Sequence, residues 1–338
     1  MATARQIIAM LSSHNQGDQE QFLSIALQVA AAEALRGRKQ VADELRQLVD
    51  AARQLQGPPA RSQAGEIPIP ISRPRGELQH LLVATYPRAR LDDVVLPLST
   101  RAWLDRLLQQ QKQRDRLRSF GQSPGKSVLL IGHPGSGKTM TASALAGELR
   151  LPLFTIRLDA VITRYMGETA AKLRMVFDQL SSLRAVYLFD EFDAIGGRRT
   201  ADNDVGEMRR VLNSFLQYIE EPNSTDSLIV CATNHAELLD RALFRRFDGI
   251  LEYRLPDSDA IRSVVSSRLG AFLPKKIAWK QIVEASPGLS QADLVRASDE
   301  VIKNAILRED QQISPEELIQ ALHERRLMRE TIAGISEA

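Results

Sequence analysis

The chain has 338 residues, 43% apolar and 25% charged, a composition that predicts a soluble globular protein of two or three domains. A net charge of +2 shows no strong bias toward nucleic acid or membrane, and no stretch approaches the ~18 apolar residues of a membrane span. The single cysteine, Cys231, excludes an internal disulfide, suits a reducing cytoplasm and reads as an inert thiol within the apolar run "SLIVCA".

The opening "MATARQIIAMLSSH" carries a brief apolar patch without a cleavage-site pattern, so no signal peptide is expected. Residues 2–13, 18–36 and 38–55 each read as amphipathic helix; Phe22, Ile25 and Val29 recur at helical spacing in the second, Val41, Leu45 and Leu48 in the third. These predict a small helical bundle over 1–56. Residues 57–76 hold five of the chain's 15 prolines and read as an extended linker, drawn to 57–88 to include a short helix-like piece. From 127 to 253, strand candidates "SVLLI", "LFTIRL", "AVYLF", "SLIVCA" and "ILEY" alternate with helices at 138–149, 168–180 and 204–219. Such βαβ alternation predicts an α/β domain with a mostly parallel sheet. After Pro256 the strands stop, and helices near 257–271, 279–285, 290–308 and 315–327 form a separate piece. Ser314, Pro315 and Glu317 make a capping signal for the last.

The segment "GHPGSGKT", residues 132–139, follows a strand and opens a helix, the context a P-loop requires. Gly132, Gly135 and Gly137 let backbone N–H groups turn toward phosphates without Cβ clashes, and the helix N-terminus adds a favourable dipole. Lys138 is placed to reach the β- and γ-phosphates, and Thr139 to ligate Mg²⁺. Fifty residues on, "AVYLFDEFDAI" ends an apolar strand in Asp190 and Glu191. Asp190 suits a Mg²⁺ site beside the P-loop, Glu191 a general base for an attacking water. A solvated acidic turn is the plainer alternative for this pair. Together the motifs point to nucleoside triphosphate hydrolysis, and the lack of a guanine-reading motif favours ATP.

The ordered set "GHPGSGKT", "RYMGET", "LFDEFDAIGGRR", "VCATN", "LDRALFRRFD" and "GLSQADL", over residues 90–327, resembles the AAA family of the AAA+ ATPases. The resemblance implies a Rossmann-like P-loop NTPase domain over 89–256, a C-terminal four-helix lid over 257–338, and a ring, commonly a homo-hexamer. The shortened "FRRF" is similar to the branch containing katanin and spastin. By the same resemblance Asn234 matches sensor 1, and Arg245 and Arg246 match arginine fingers that reach the ATP of a neighbouring subunit. The plainer alternative for Asn234 is a cap of the next helix, and "RRF" taken alone is more often a solvated basic turn. The whole P-loop run, with His133, Pro134, Ser136 and Met140, is expected to contact nucleotide. Asp93, Val94 and Ala292 are implied at the adenine, although Gln291 stands where relatives carry glycine. Tyr165, Met166 and Gly167 match the first pore loop, whose side chains grip an extended polypeptide; a hydrophobic staple is the alternative. Residues 196–207 match the second pore loop.

The expected function is a cytoplasmic Mg-ATP-driven motor that pulls a polypeptide substrate through a pore to remodel or unfold it. The other readings are a nucleotide-dependent assembly switch acting on a bound partner and a DNA-associated loader, the latter disfavoured by the lack of a basic domain. No HExxH or serine-protease nucleophile motif is present in the chain. A subtilisin-like protease partner is implied by resemblance alone, and the bundle over 1–56 reads as a docking module, with a cap that stabilises the ring as the alternative.

Overall fold

Continuous runs of apolar residues make strands that must be covered on both faces, and the centre of the molecule follows that rule. The computed structural model describes residue 74 and residues 76–336, apart from 163–165, 197–204, 223, 242, 275–276 and 309–312. The helices expected over 2–55, most of the proline-rich stretch, Tyr165 and most of the second pore-loop segment lie outside the described residues. The described part falls in one compact unit, Pro70–Ala338.

Six strands form one sheet: β1 (Leu82–Thr85), β2 (Ser127–Gly132), β3 (Leu153–Ile156), β4 (Val186–Phe189), β5 (Leu228–Thr233) and β6 (Gly249–Tyr253). Their order is β1-β3-β4-β5-β2-β6, with every pairing parallel except β1 against β3. Every residue of β4 and β5 is buried, and the two-residue period sorts them onto opposite faces. Leu129, Tyr187, Phe189, Ile229 and Cys231 join one core; Val128, Leu130, Val186, Leu188 and Val230 join the other. Cys231 is fully buried, and burial raises its thiol pKa well above the usual range.

Strand β1 corrects the reading of 57–88 as linker. Leu82 lies opposite Ile156 and Thr85 opposite Leu153, so the sheet begins before residue 89. The reason it escapes notice is that a four-residue edge strand buries little: only Leu82 within it is buried. The candidate "LFTIRL" is shorter than expected, because a helical turn starts at Leu158.

The helices that matter for the site are α1 (Leu98–Lys112), α2 (Lys138–Leu149), α3 (Met166–Ser182), α4 (Asp193–Gly196) and α5 (Val205–Glu220) in the α/β part. They are followed by α6 (Ser258–Leu269), α7 (Trp279–Ala285), α8 (Gln291–Leu307) and α9 (Pro315–Ser336) in the helical part. That part has its own core, with Val265, Ile282, Leu294, Val301 and Leu322 at its centre. Asp257 caps α6 through Ala260 N at 2.8 Å, and Ser290 with Asp293 forms a reciprocal capping box on α8. At α9, Glu317 accepts from Ser314 N at 3.4 Å, while Ser314 Oγ accepts from Glu316 N at 3.2 Å. Helix α9 continues past the expected stop at 327 to Ser336. Leu327 and Met328, where that stop was expected, are exposed. No helix among the described residues is long and apolar enough to cross a membrane.

Candidate active site

Parallel strands deliver their carboxyl ends to one edge, where a ligand crevice forms. Here β2 ends in the P-loop, β4 in Asp190 and β5 in Thr233 and Asn234, side by side because β4, β5 and β2 are neighbours. Gly135 and Gly137 lie in the left-handed region at φ 75° and 99°, which bends the loop back on itself. Gly132 is required by close approach: a Cβ there would lie 2.1 Å from Tyr253 O on β6.

The loop opens a cleft of about 790 Å³ lined by the P-loop, the ends of β4 and β5, and helices α6 and α8. That size suits a nucleotide-sized ligand. Lys138 is only 6% exposed. Its Nζ donates to Gly132 O at 2.7 Å, His133 O at 2.9 Å and Asn234 Oδ1 at 2.8 Å. Burial lowers the lysine's pKa, opposed by the negative charge of Asp190. Thr139 Oγ1 donates to Asp190 Oδ2 at 2.8 Å, so a hydroxyl and a carboxylate converge as a hard-oxygen pair. The other Asp190 oxygen accepts from Glu191 N at 3.0 Å. Glu191 itself adopts φ 52°, uncommon for a non-glycine residue, and its carboxylate is exposed to the cleft. Ser136 Oγ is buried without a hydrogen-bond partner inside the loop, as expected where a phosphate oxygen would supply one.

Of the remaining expected residues, Pro134, Gly135, Met140, Asp93 and Ala292 line the same cleft. Asp93 also closes its own turn by accepting from Arg90 N at 2.7 Å. Val94 is buried beneath Gly137, and it is Val95 that reaches the cleft. Arg245 and Arg246 do not line it; both are exposed on the segment before β6, and Arg246 pairs with Glu220 at the end of α5. Met166 is the first residue of α3, and Gly167 is exposed with open space around it.

Several residues that sequence reasoning passed over hold this arrangement. Thr233 Oγ1 donates to Asp193 Oδ1 at 2.7 Å and accepts from His235 N at 3.0 Å, clamping the two residues around Asn234. Phe192, next to Glu191, packs on Phe215 at 4.8 Å and edge-on against Phe247 at 6.3 Å. That aromatic contact joins the acidic turn to the Arg245–Arg246 segment. Gln291 Nε2 donates to Val95 O at 2.8 Å, and Ala292 N donates to Gly135 O at 3.0 Å. The glutamine in place of glycine thus ties the helical part to the α/β part. The spacing of Asp193, three residues after Asp190, was the one available signal for its role; the partners of Gln291 had none.

The family model described as "ATPase family associated with various cellular activities (AAA)" matches residues 128–255. Over 333 residues the chain is 30% identical to the AAA family ATPase y4kL of Sinorhizobium fredii, covering 96% of each chain. It is 36% identical over 230 residues to the ATP-dependent zinc metalloprotease FtsH 1 of Methylacidiphilum infernorum, 66% of this chain and 35% of that one. A 26S proteasome regulatory subunit homolog of Methanothermobacter marburgensis is 30% identical over 247 residues, 71% of this chain and 65% of the other. The chain belongs to the AAA family and is an ATPase.

Proposed function

We propose that the protein is a ring-forming Mg-ATP motor that remodels or unfolds polypeptides by drawing them through a central pore. The observation that carries the catalytic half is the convergence of Lys138, Asn234, Glu191 and the Thr139–Asp190 pair in one cleft. The residues fit Mg-ATP: the left-handed Gly135 and Gly137 curl the loop around a phosphate-sized hollow, the partnerless Ser136 hydroxyl is free to donate to a phosphate oxygen, and the oxygen pair suits Mg²⁺. Bound Mg-ATP supplies the phosphoanhydride and a cation that offsets its charge. Lys138 holds phosphate charge with its Nζ. Asn234, fixed between Lys138 and the Thr233–Asp193 clamp, orients the attacking water, and the Glu191 carboxylate takes its proton. Arg245 and Arg246 are exposed outside the cleft of their own chain, which supports action on a neighbour's site in a ring.

The pulling half rests on Tyr165, Met166 and Gly167 as a pore loop, on the open surroundings of Gly167, and on relatives named as a metalloprotease and a proteasome regulatory subunit homolog. The test uses an unfolded polypeptide, carboxymethylated casein, as probe. Casein is expected to stimulate ATP hydrolysis by the wild type. Tyr165→Ala is expected to bind nucleotide normally and lose the stimulation. If casein changes nothing in the wild type while nucleotide alters only its assembly state, the protein is an assembly switch. If Tyr165→Ala lowers the melting temperature and abolishes ATPase, the tyrosine is a packing residue.

A further inference from the structure

The helical part contributes more to the cleft than its contact with the P-loop. Arg268 of α6 and Arg296 of α8 both line it, next to Val264, Val295 and Val95. Their situations differ. Arg268 is held by Asp299 in a close ion pair. Arg296 is exposed and makes no hydrogen bond or ion pair among the described residues. It stands four positions after Ala292, whose N–H is bonded to Gly135 O. Positions i and i+4 share a helix face, about 6 Å apart along the axis. Arg296 therefore projects from the face of α8 that meets the P-loop, one turn farther from it.

The cleft is chemically divided along its length. Lys138, Thr139, Asp190 and Asn234 occupy the phosphate end. Val264 and Val295 of the lid helices and Val95 opposite them supply an apolar lining, suited to the flat face of a base. An unengaged guanidinium at the margin of that lining matches an aromatic ring on one side and ribose hydroxyls on the other. Lys138 already supplies the buried cation at the phosphate end.

We propose that Arg296 is a nucleotide-binding residue of the lid that covers the base and ribose, so that the lid senses the nucleoside and not the γ-phosphate. This rests on the reading of the cleft as the nucleotide site. The lid would then be held equally by ATP and ADP, and release of the lid would follow loss of nucleotide, not hydrolysis.

The experiment measures binding of fluorescent ADP and of a fluorescent non-hydrolysable ATP analogue to the full chain. Variants are Arg296→Ala, Arg296→Lys and Arg268→Ala, with the melting temperature of each. Arg296→Ala is expected to weaken both ligands by a similar factor, about tenfold, with little change in melting temperature. Arg296→Lys should recover only part of the loss, because an ammonium lacks the planar face. Unchanged affinities overturn the proposal. A loss confined to the ATP analogue also overturns it, since that identifies a γ-phosphate contact. Should Arg296→Ala fail to fold, the lysine variant carries the same comparison of the two ligands. Failure of the wild-type chain to bind either nucleotide would instead defeat the reading of the cleft itself.

Discussion

On one side of the cleft, Asp190 and Asn234 stand at the ends of strands whose residues are all buried, Lys138 opens the helix that follows the neighbouring strand, and the backbone ladders between those strands fix their positions. On the other side, Gln291, Ala292 and Arg296 belong to a helical part with a core of its own, joined here by one hydrogen bond to the P-loop, one to Val95 and the packing of Val95 on that core. The first wall resists displacement because moving it breaks sheet pairing and two cores at once. The second can shift for the loss of those two hydrogen bonds, each of net value about 1 kcal/mol, and of the Val95 contact. Chemistry therefore belongs with the rigid wall, while the lid is suited to following the nucleotide.

Breaking the rigid wall should have the largest effect. Lys138→Ala removes a buried cation with three acceptors around it, so nucleotide binding should fall by on the order of 10²-fold or more. Glu191→Gln keeps shape and removes the proposed base; binding should survive while turnover drops by on the order of 10²–10⁴-fold. Paired measurements of nucleotide affinity and steady-state phosphate release check both. Equal turnover in wild type and Glu191→Gln would remove the glutamate from its proposed role.

This wall was also the more legible in sequence. Glycine spacing in "GHPGSGKT", a preceding apolar strand and a following helix are local signals that coincide, and the strand ends at Asp190 and Asn234 follow from hydrophobic runs. The lid's helices were readable from their period and, for the last, from the cap at Ser314. What could not be read were partnerships across long separations. Gln291 meets Val95 196 positions away, and Thr233 meets Asp193 across 40, so neither pairing leaves a local pattern. Strand β1 was missed for a related reason: its identity depends on pairing with β3, not on its own four residues.

The contact between the walls can be sharpened next. Gly135 sits at φ 75°, and a Cβ there would lie 2.7 Å from Ser290 Oγ and 2.8 Å from the Ala292 Cβ. Gly135→Ala should push the lid from the P-loop and add left-handed strain of about 1–2 kcal/mol. Gln291→Ala removes one hydrogen bond and adds no clash. Nucleotide affinity should fall about tenfold or more in the first and about threefold in the second. If Gln291→Ala binds as tightly as wild type, the bond to Val95 is incidental to closing the cleft.

The smallest effect at neutral pH concerns the root of the lid. Tyr253 ends β6, three residues before Pro256, and its hydroxyl donates to Thr141 Oγ1 on α2 at 2.8 Å. Thr141 in turn donates to Gly137 O at 3.1 Å, so the chain entering the lid is fastened to the P-loop. Burial pushes the Tyr253 phenol up to about 12, only partly opposed by the Thr141 hydrogen bond. An unfolded phenol ionises near ~10. Between those values the unfolded state holds fewer protons than the folded one, so stability falls as pH rises through the window. The contribution is fully present below pH ~10, and its loss approaches about 3 kcal/mol by pH ~12. Tyr187, also raised by burial, adds to the same slope and remains in any Tyr253 variant. Tyr253→Phe should cost about 1 kcal/mol at pH 8 through the lost hydrogen bond, yet lose less further stability than wild type from pH 10 upward. Urea unfolding at pH 8, 10 and 11 measures both quantities. Identical pH slopes in the two proteins would mean that the phenol at the lid's root ionises without cost, and that the lid is not fastened there.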